Sequence, residues 1–587
     1  MTRIRLLYLY VLSTVALGML LFGLSHLLGA VLDRIIDNRG ETIFASGDDS
    51  LRLLVARYVA ISVIALPVWL GHWYVAQRGA TAETPRGREE RFAPERRFFL
   101  AVIIALVTGL PAVVAAWNVL EGLAGRLLGM GDPPRIAGAL ATLVVTGGAW
   151  VYFRGVQRAD VARDPALIEI DDWRRLEIYG LAVAGLFVFA NGLDALLDVL
   201  IRLVGDARAD VVILTADRWW AGPLAGALAS IAVGAGLWAI HWLPVTALAG
   251  RDTPAGLVER HSLVRRFARA GILLVTLVIA LTQAGIALAA VLAWAFGVAP
   301  GEIDLPGDGD TLMTTLAHAA LTGLVYGAIW CYLAERSRQE EPALDPESPD
   351  VGRADPQRIY AYLVALVGLG FFVGGGIQII SILADVLRDR TPILSADDDT
   401  WRRPLATAIA SLVVGFAAWV WEWNRAQRRA ASAAIEDADA LAPVPAPVPA
   451  ERRSPVRRAY LVIAAGIGLI ILLGSGSIAL YALLGTLLSV QDDVGERFAD
   501  VAGWLVGGAF LVAYHVAILR SDGQMSRAAP DEEGPAQTID LPLILTLPGG
   551  TDLEPVLARL RGALPPDATI GRAAVEGSEG ADGLERT

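Results

Sequence analysis

Residues 397–429 read DDDTWRRPLATAIASLVVGFAAWVWEWNRAQRR. An acidic turn opens the stretch, a long apolar run follows, and a Trp-rich end gives way to arginines. At 1.5 Å per residue, about twenty apolar residues in an α-helix reach across a hydrocarbon layer of about 30 Å. The stretch therefore predicts a membrane-spanning helix entered from an acidic side and left on a basic one.

The same pattern recurs along the chain. Asp49, Asp310 and Asp399 each stand twenty residues before a tryptophan, namely Trp69, Trp330 and Trp419. Asp132 and Asp217 keep nearly the same distance to Trp150 and Trp238, and the last copy has Phe510 where Trp is expected. An acidic residue beside Ser or Thr suits a helix N-cap, where it meets unpaired N–H groups and the positive end of the helix dipole. The Trp suits the opposite headgroup layer. Each of these helices is preceded by another apolar helix that opens on arginine, usually with aromatics, as in Arg97-Phe98-Phe99 and Arg358-Ile359-Tyr360. Twelve apolar segments result, at about 6–32, 51–75, 98–120, 135–153, 176–204, 219–246, 267–296, 312–334, 359–387, 402–423, 458–488 and 499–519. They pair into six hairpins with a period near ninety residues, the mark of a repeat array.

The expected fold is thus an all-α integral membrane protein of six two-helix hairpins with a small C-terminal tail. The hairpins occupy residues 1–90, 91–170, 171–260, 261–345, 355–432 and 456–522. Residues 433–455 form an Ala/Pro linker whose alternating prolines, 443–449, favour an extended spacer and predict a last hairpin set apart from the others. In the tail, 523–587, residues 539–547 read as a strand and 551–564 as a capped helix, with a disordered end.

Composition agrees. The chain is 55% hydrophobic with mean hydropathy +0.51. Its net charge of −12, without a basic stripe, excludes a nucleic-acid partner. One cysteine, Cys331, allows neither an internal disulfide nor a Cys-rich metal site. Of the arginines, 27 lie between or flanking successive hairpins and 14 lie within hairpin turns. By the positive-inside rule this puts both termini and the inter-hairpin segments in the cytoplasm and the acidic turns outside.

The Arg-aromatic first helix, acidic turn and Trp-ended second helix resemble bacterial multi-pass membrane hairpin repeats known as a domain of unknown function (DUF5671). The resemblance covers about residues 1–520. It implies the hairpin fold and a bacterial inner membrane; it brings no activity and no site residues.

Candidate chemistry is sparse. Asn191, Asp194 and Asp198 lie in the fifth helix, with Asp194 and Asp198 on one face. An ionisable residue inside a membrane span is a functional candidate by default. These three outline either an ion or proton path or a polar contact between helices, and the second is the expectation. His72, His241 and Glu422 stand three residues after a repeat Trp, but such positions on different hairpins need not converge on a metal. Glycines at 370, 374–376, 474, 476 and 507–508 suit close helix approach. No phosphate-loop, zinc-protease or nucleophile-elbow motif is present. No cofactor or metal is expected, and the partners are the lipid bilayer and other membrane proteins or a second copy. The chain reads as a non-enzymatic assembly, scaffold or sensing module, ahead of a secondary transporter or channel, with a membrane-embedded enzyme third.

Overall fold

The structure is a computed structural model that describes residues 2–37, 48–208, 218–299, 312–340, 356–389, 401–431, 450–488 and 494–528. Among them lie twelve long helices, apolar enough to cross a membrane. They are α1 (Thr2–Leu32), α2 (Asp48–Thr81), α3 (Pro94–Leu127), α4 (Ala137–Arg163), α5 (Asp172–Arg208) and α6 (Ala221–Ala249). The second half follows as α7 (Leu263–Ala295), α8 (Leu312–Glu340), α9 (Pro356–Asp389), α10 (Arg402–Ala431), α11 (Pro455–Leu487) and α12 (Val494–Ala528). The described residues contain no strand. The expected strand and helix of the tail, and most of the proline linker, lie outside them.

Consecutive helices pack in pairs, α1 with α2 through α11 with α12. The pairs close on small side chains. A Cβ added at Gly185 of α5 would stand 2.6 Å from the Trp238 backbone nitrogen of α6 and 3.0 Å from the Gly234 carbonyl. Gly368 of α9 and Gly415 of α10 meet in the same way, and a Cβ at Gly368 would stand 2.6 Å from the Trp419 nitrogen. In the first pair Ala16 and Ala65 are buried at the corresponding level. Of the glycines expected to mediate packing, Gly375, Gly507 and Gly508 do so, whereas Gly370, Gly374, Gly474 and Gly476 face open space.

One rule joins the pairs to each other. The first helix of each pair packs on the second helix of the next, as α1 on α4, α3 on α6, α5 on α8, α7 on α10 and α9 on α12. The molecule is an array built by one repeated step.

Three expectations are corrected. The last pair does not stand apart: one core cluster joins Tyr362, Val373 and Trp419 of α9 and α10 to Tyr460, Leu461 and Leu511 of α11 and α12. The linker separates the pairs in sequence, while apolar contact and hydrogen bonding hold them together in space. Nor does an acidic residue take the N-cap position of α4 or α6. The N-cap positions of α4 and α6 are Ile136 and Trp220, without a side-chain cap. Asp132 precedes Ile136 by a Pro133-Pro134 turn, and Asp49 lies inside the first turn of α2. Asp310 and Asp399 lie outside the described residues. Finally, the repeat tryptophans line joints between helices as well as the helix ends. Trp419 is buried, and its indole donates to the Tyr460 hydroxyl at 3.1 Å, as Trp330 donates to Tyr360 at 2.9 Å.

Candidate functional site

The largest fully buried side chains in the protein include three arginines, Arg96, Arg265 and Arg457. Each begins the first helix of an even-numbered pair and sits at the arginine-rich end of the bundle. A buried guanidinium is costly unless its charge is paired and its N–H groups are satisfied.

Around Arg96 four helices meet. Its Nε donates to Asp160 Oδ2 of α4 at 2.8 Å, Nη1 to the Tyr10 hydroxyl of α1 at 2.8 Å, and Nη2 to Gln77 Oε1 of α2 at 2.8 Å. Around Arg457 the arrangement returns, with Nε on Asp522 Oδ2 of α12 at 2.7 Å and Nη2 on Gln427 Oε1 of α10 at 3.1 Å. Arg265 Nη1 donates to the Tyr179 hydroxyl of α5 at 2.8 Å. Arg265 and Arg457 also lie over the rings of Trp242 and Trp423, at 6.0 and 5.3 Å, where the ring face attracts the cation.

A carboxylate from the short segment before each of these helices completes the knot. Glu90, Glu259 and Glu451 are all buried. They face Arg5, Arg175 and Arg358 at 3.8, 3.3 and 3.6 Å. Tyr179 donates to Glu259 at 2.6 Å and Tyr362 to Glu451 at 2.7 Å. In the first two copies the short segment is a helix, Pro85–Phe92 and Pro254–His261, capped by Thr84 and Thr253 accepting from Gly87 and Gly256. These glycines are required: a Cβ on either would collide with the carbonyl of Ala82 or Arg251. In the third copy the described part of the segment is the helix Ala450–Arg453, which follows Pro449 in the sequence.

Beside the first and third knots lie small cavities, of about 10 Å³ next to Arg96 and Asp160 and about 30 Å³ next to Arg452 and Asp522. One water needs roughly 10–15 Å³ of this kind of space, so these are water-sized niches and not substrate chambers. At the edge of the first, just outside α5, burial pushes the Asp171 carboxyl above the usual aspartate range; Arg97 approaches it to 3.9 Å.

The residues singled out from the sequence are placed differently. Asn191 is exposed on the outside of α5. Asp194 accepts from the Thr322 hydroxyl of α8, and Asp198 pairs with Arg202 at 3.0 Å and faces His318 of α8 at 3.7 Å. Together they link α5 to α8 on the side away from the knots. The corresponding level of the other units carries different chemistry: Gly29 against Gly138 in the first, and Ile377 against Gly503 in the third. His72 and His241 bond carbonyls of their own helices at 2.7 and 2.8 Å, and Glu422 pairs with Arg425 at 3.3 Å. These three do not converge.

The sequence reading missed the knots, although a signal existed. Glu-Arg-x-x-x-x-Arg-Arg recurs at 90–97, 259–266 and 451–458, and it marks one knot per four helices. The fold and site thus define an all-helical, apolar protein made of three four-helix units, each tied at one end by a buried arginine. The family model described as Domain of unknown function (DUF5671) matches three times, over residues 6–148, 175–329 and 358–511. The chain belongs to this family, and each match begins at an odd-numbered pair and runs through four helices. No curated protein and no solved structure matches the chain.

Proposed function

We propose that the protein is a non-enzymatic membrane scaffold, seated in a bacterial inner membrane as six hairpins with both termini cytoplasmic. The arginine bias of the inter-hairpin segments puts the knots on the inner side. One observation carries the scaffold reading: in each of the three units a fully buried arginine ties neighbouring helices together, and the cavities beside the first and third are water-sized. Chemistry repeated in this way serves to tie helices together.

A transporter is the second reading, favoured by the titratable chain Asp194, His318 and Asp198 between α5 and α8. Reconstituted vesicles with a proton or cation gradient separate the two. The scaffold reading expects no flux above empty vesicles, and Asp194→Leu to lower stability by about 0.6 kcal/mol, the average for a hydrogen bond between membrane helices. In native membranes the chain is then expected in assemblies larger than its own 62.3 kDa. Flux abolished by Asp194→Asn would overturn the scaffold reading in favour of transport.

A further inference from the structure

The repeated packing step has two chemical versions. Within a unit, the first helix of an odd pair meets the second helix of an even pair. Between units the roles reverse, and α3 meets α6 while α7 meets α10. The inter-unit joints share a lock. The first helix ends in a glycine with positive φ, Gly129 (72°) and Gly297 (92°), a common helix stop. An arginine from the start of the second helix reaches that end: Arg218 donates to the Leu128 carbonyl at 2.7 Å and Arg402 to the Gly297 carbonyl at 3.4 Å. Below the lock, small residues face the first helix. Ala406 is fully buried in a cluster with Ala290, Ala293, Leu292 and Phe296 of α7. Ala410, one turn on, is buried as well, as are Ala225 and Ala229 at the matching positions of α6.

Elements of both halves of this joint recur at the two ends of the array, with apolar side chains left exposed. On α2, the spacing of Asp49, Arg52 and Trp69 repeats that of Asp399, Arg402 and Trp419. Ala56 and Ala60 occupy the positions of Ala406 and Ala410, yet both are exposed. On α11, Arg457 stands thirty-two residues before Ser489, as Arg265 stands before Gly297. In the same register Leu484 and Leu488 take the places of Leu292 and Phe296. Leu484 is 47% and Leu488 71% exposed. The outer faces of α2 and α11 therefore carry the arginine, small and apolar positions of a joint the chain already makes twice, with Ser489 in the place of the stop glycine.

We infer that copies of the protein associate head to tail, α11 of one packing on α2 of the next in the manner of α7 on α10. The inference rests on the assembly reading and names its partner, a second copy of this chain. Because the two surfaces differ, the contact is heterologous, and it closes a ring or extends a row according to the rotation per copy.

The test is disulfide crosslinking in native membranes of the full chain carrying Cys331→Ser, Ala56→Cys and Leu484→Cys. The expected result is a ladder of covalent dimers and larger species, with each single-cysteine variant remaining monomeric. Dimers from either single variant would show a face meeting itself and would overturn the inference, as would the absence of intermolecular crosslinks in the double variant. Arg52→Ala in the otherwise unaltered chain guards against a cysteine pair that misfolds: it is expected to lower the mass of the native assemblies, and unchanged masses count against the lock. Native masses that are multiples of the chain, without the ladder, would sink this contact and leave the assembly reading standing. Monomers alone would sink both.

Discussion

Arginine is the residue the knots demand, for geometric reasons. A guanidinium presents five N–H donors in a rigid plane, so Arg96 can reach Tyr10, Gln77 and Asp160 on three other helices at once. A lysine ammonium is a compact point charge on a flexible stem and cannot span those acceptors. Removing one partner of a buried ion pair costs about 3–5 kcal/mol. Arg96→Met and Arg457→Met are therefore expected to lower the thermal midpoint of the purified protein strongly, with little rescue by Arg→Lys. Arg458→Met, one residue along and exposed, is expected to be nearly neutral. Equal effects at Arg457 and Arg458 would mean that burial is not what matters. This adjacency also explains why the knots were hard to read from sequence. Residues i and i+1 of a helix point about 100° apart, so of each Arg-Arg pair one turns inward, and nothing in the dipeptide says which. Beside an apolar run, both pass for headgroup arginines. Asp194 drew attention because it interrupts an apolar run, yet its place is a single bond to Thr322.

At the level of helices, apolar runs of membrane-crossing length reported the elements faithfully: each of the twelve runs coincides with a long helix. Their partners were less legible. A glycine permits close approach without stating which helix approaches. Gly415 and Gly474 look alike in sequence; the first lies against the backbone of α9 and the second faces open space. Gly415→Leu is accordingly expected to force α9 and α10 apart and to cost about 1–3 kcal/mol or more, the usual scale of overpacking. Gly474→Leu is expected to change stability by no more than about 0.5 kcal/mol. Thermal unfolding of the two variants side by side checks this, and equal losses would contradict the pairing. The acidic turns misled for a related reason. An acidic residue before a helix suits a cap, but the entry turn decides which residue takes the N-cap position, and past Pro133-Pro134 that position falls on Ile136 and not on Asp132.

On the scale of the whole molecule, the ninety-residue period was visible because five pairs repeat the same arginine, acid and tryptophan order and the sixth departs from it with Phe510 in place of the tryptophan. The longer four-helix unit was not, because odd and even pairs differ mainly in which side chains are buried, and the unit emerges only where Arg96, Arg265 and Arg457 gather their partners. The proline linker suggested a detached last pair, whereas Arg457 on Gln427 and Trp423 on the Tyr514 hydroxyl at 2.6 Å bind it to the preceding one. All of this presupposes an array that crosses the membrane with its knots on the inner face. Cysteine accessibility in intact cells tests that most directly, with single cysteines at Asp49, Asp310 and Asp399 and one at Arg86 beside the first knot, all in a Cys331→Ser background. The account predicts that an impermeant maleimide labels the first three from outside and reaches position 86 only after permeabilisation. Labelling of position 86 in intact cells, with the other three protected, would contradict it.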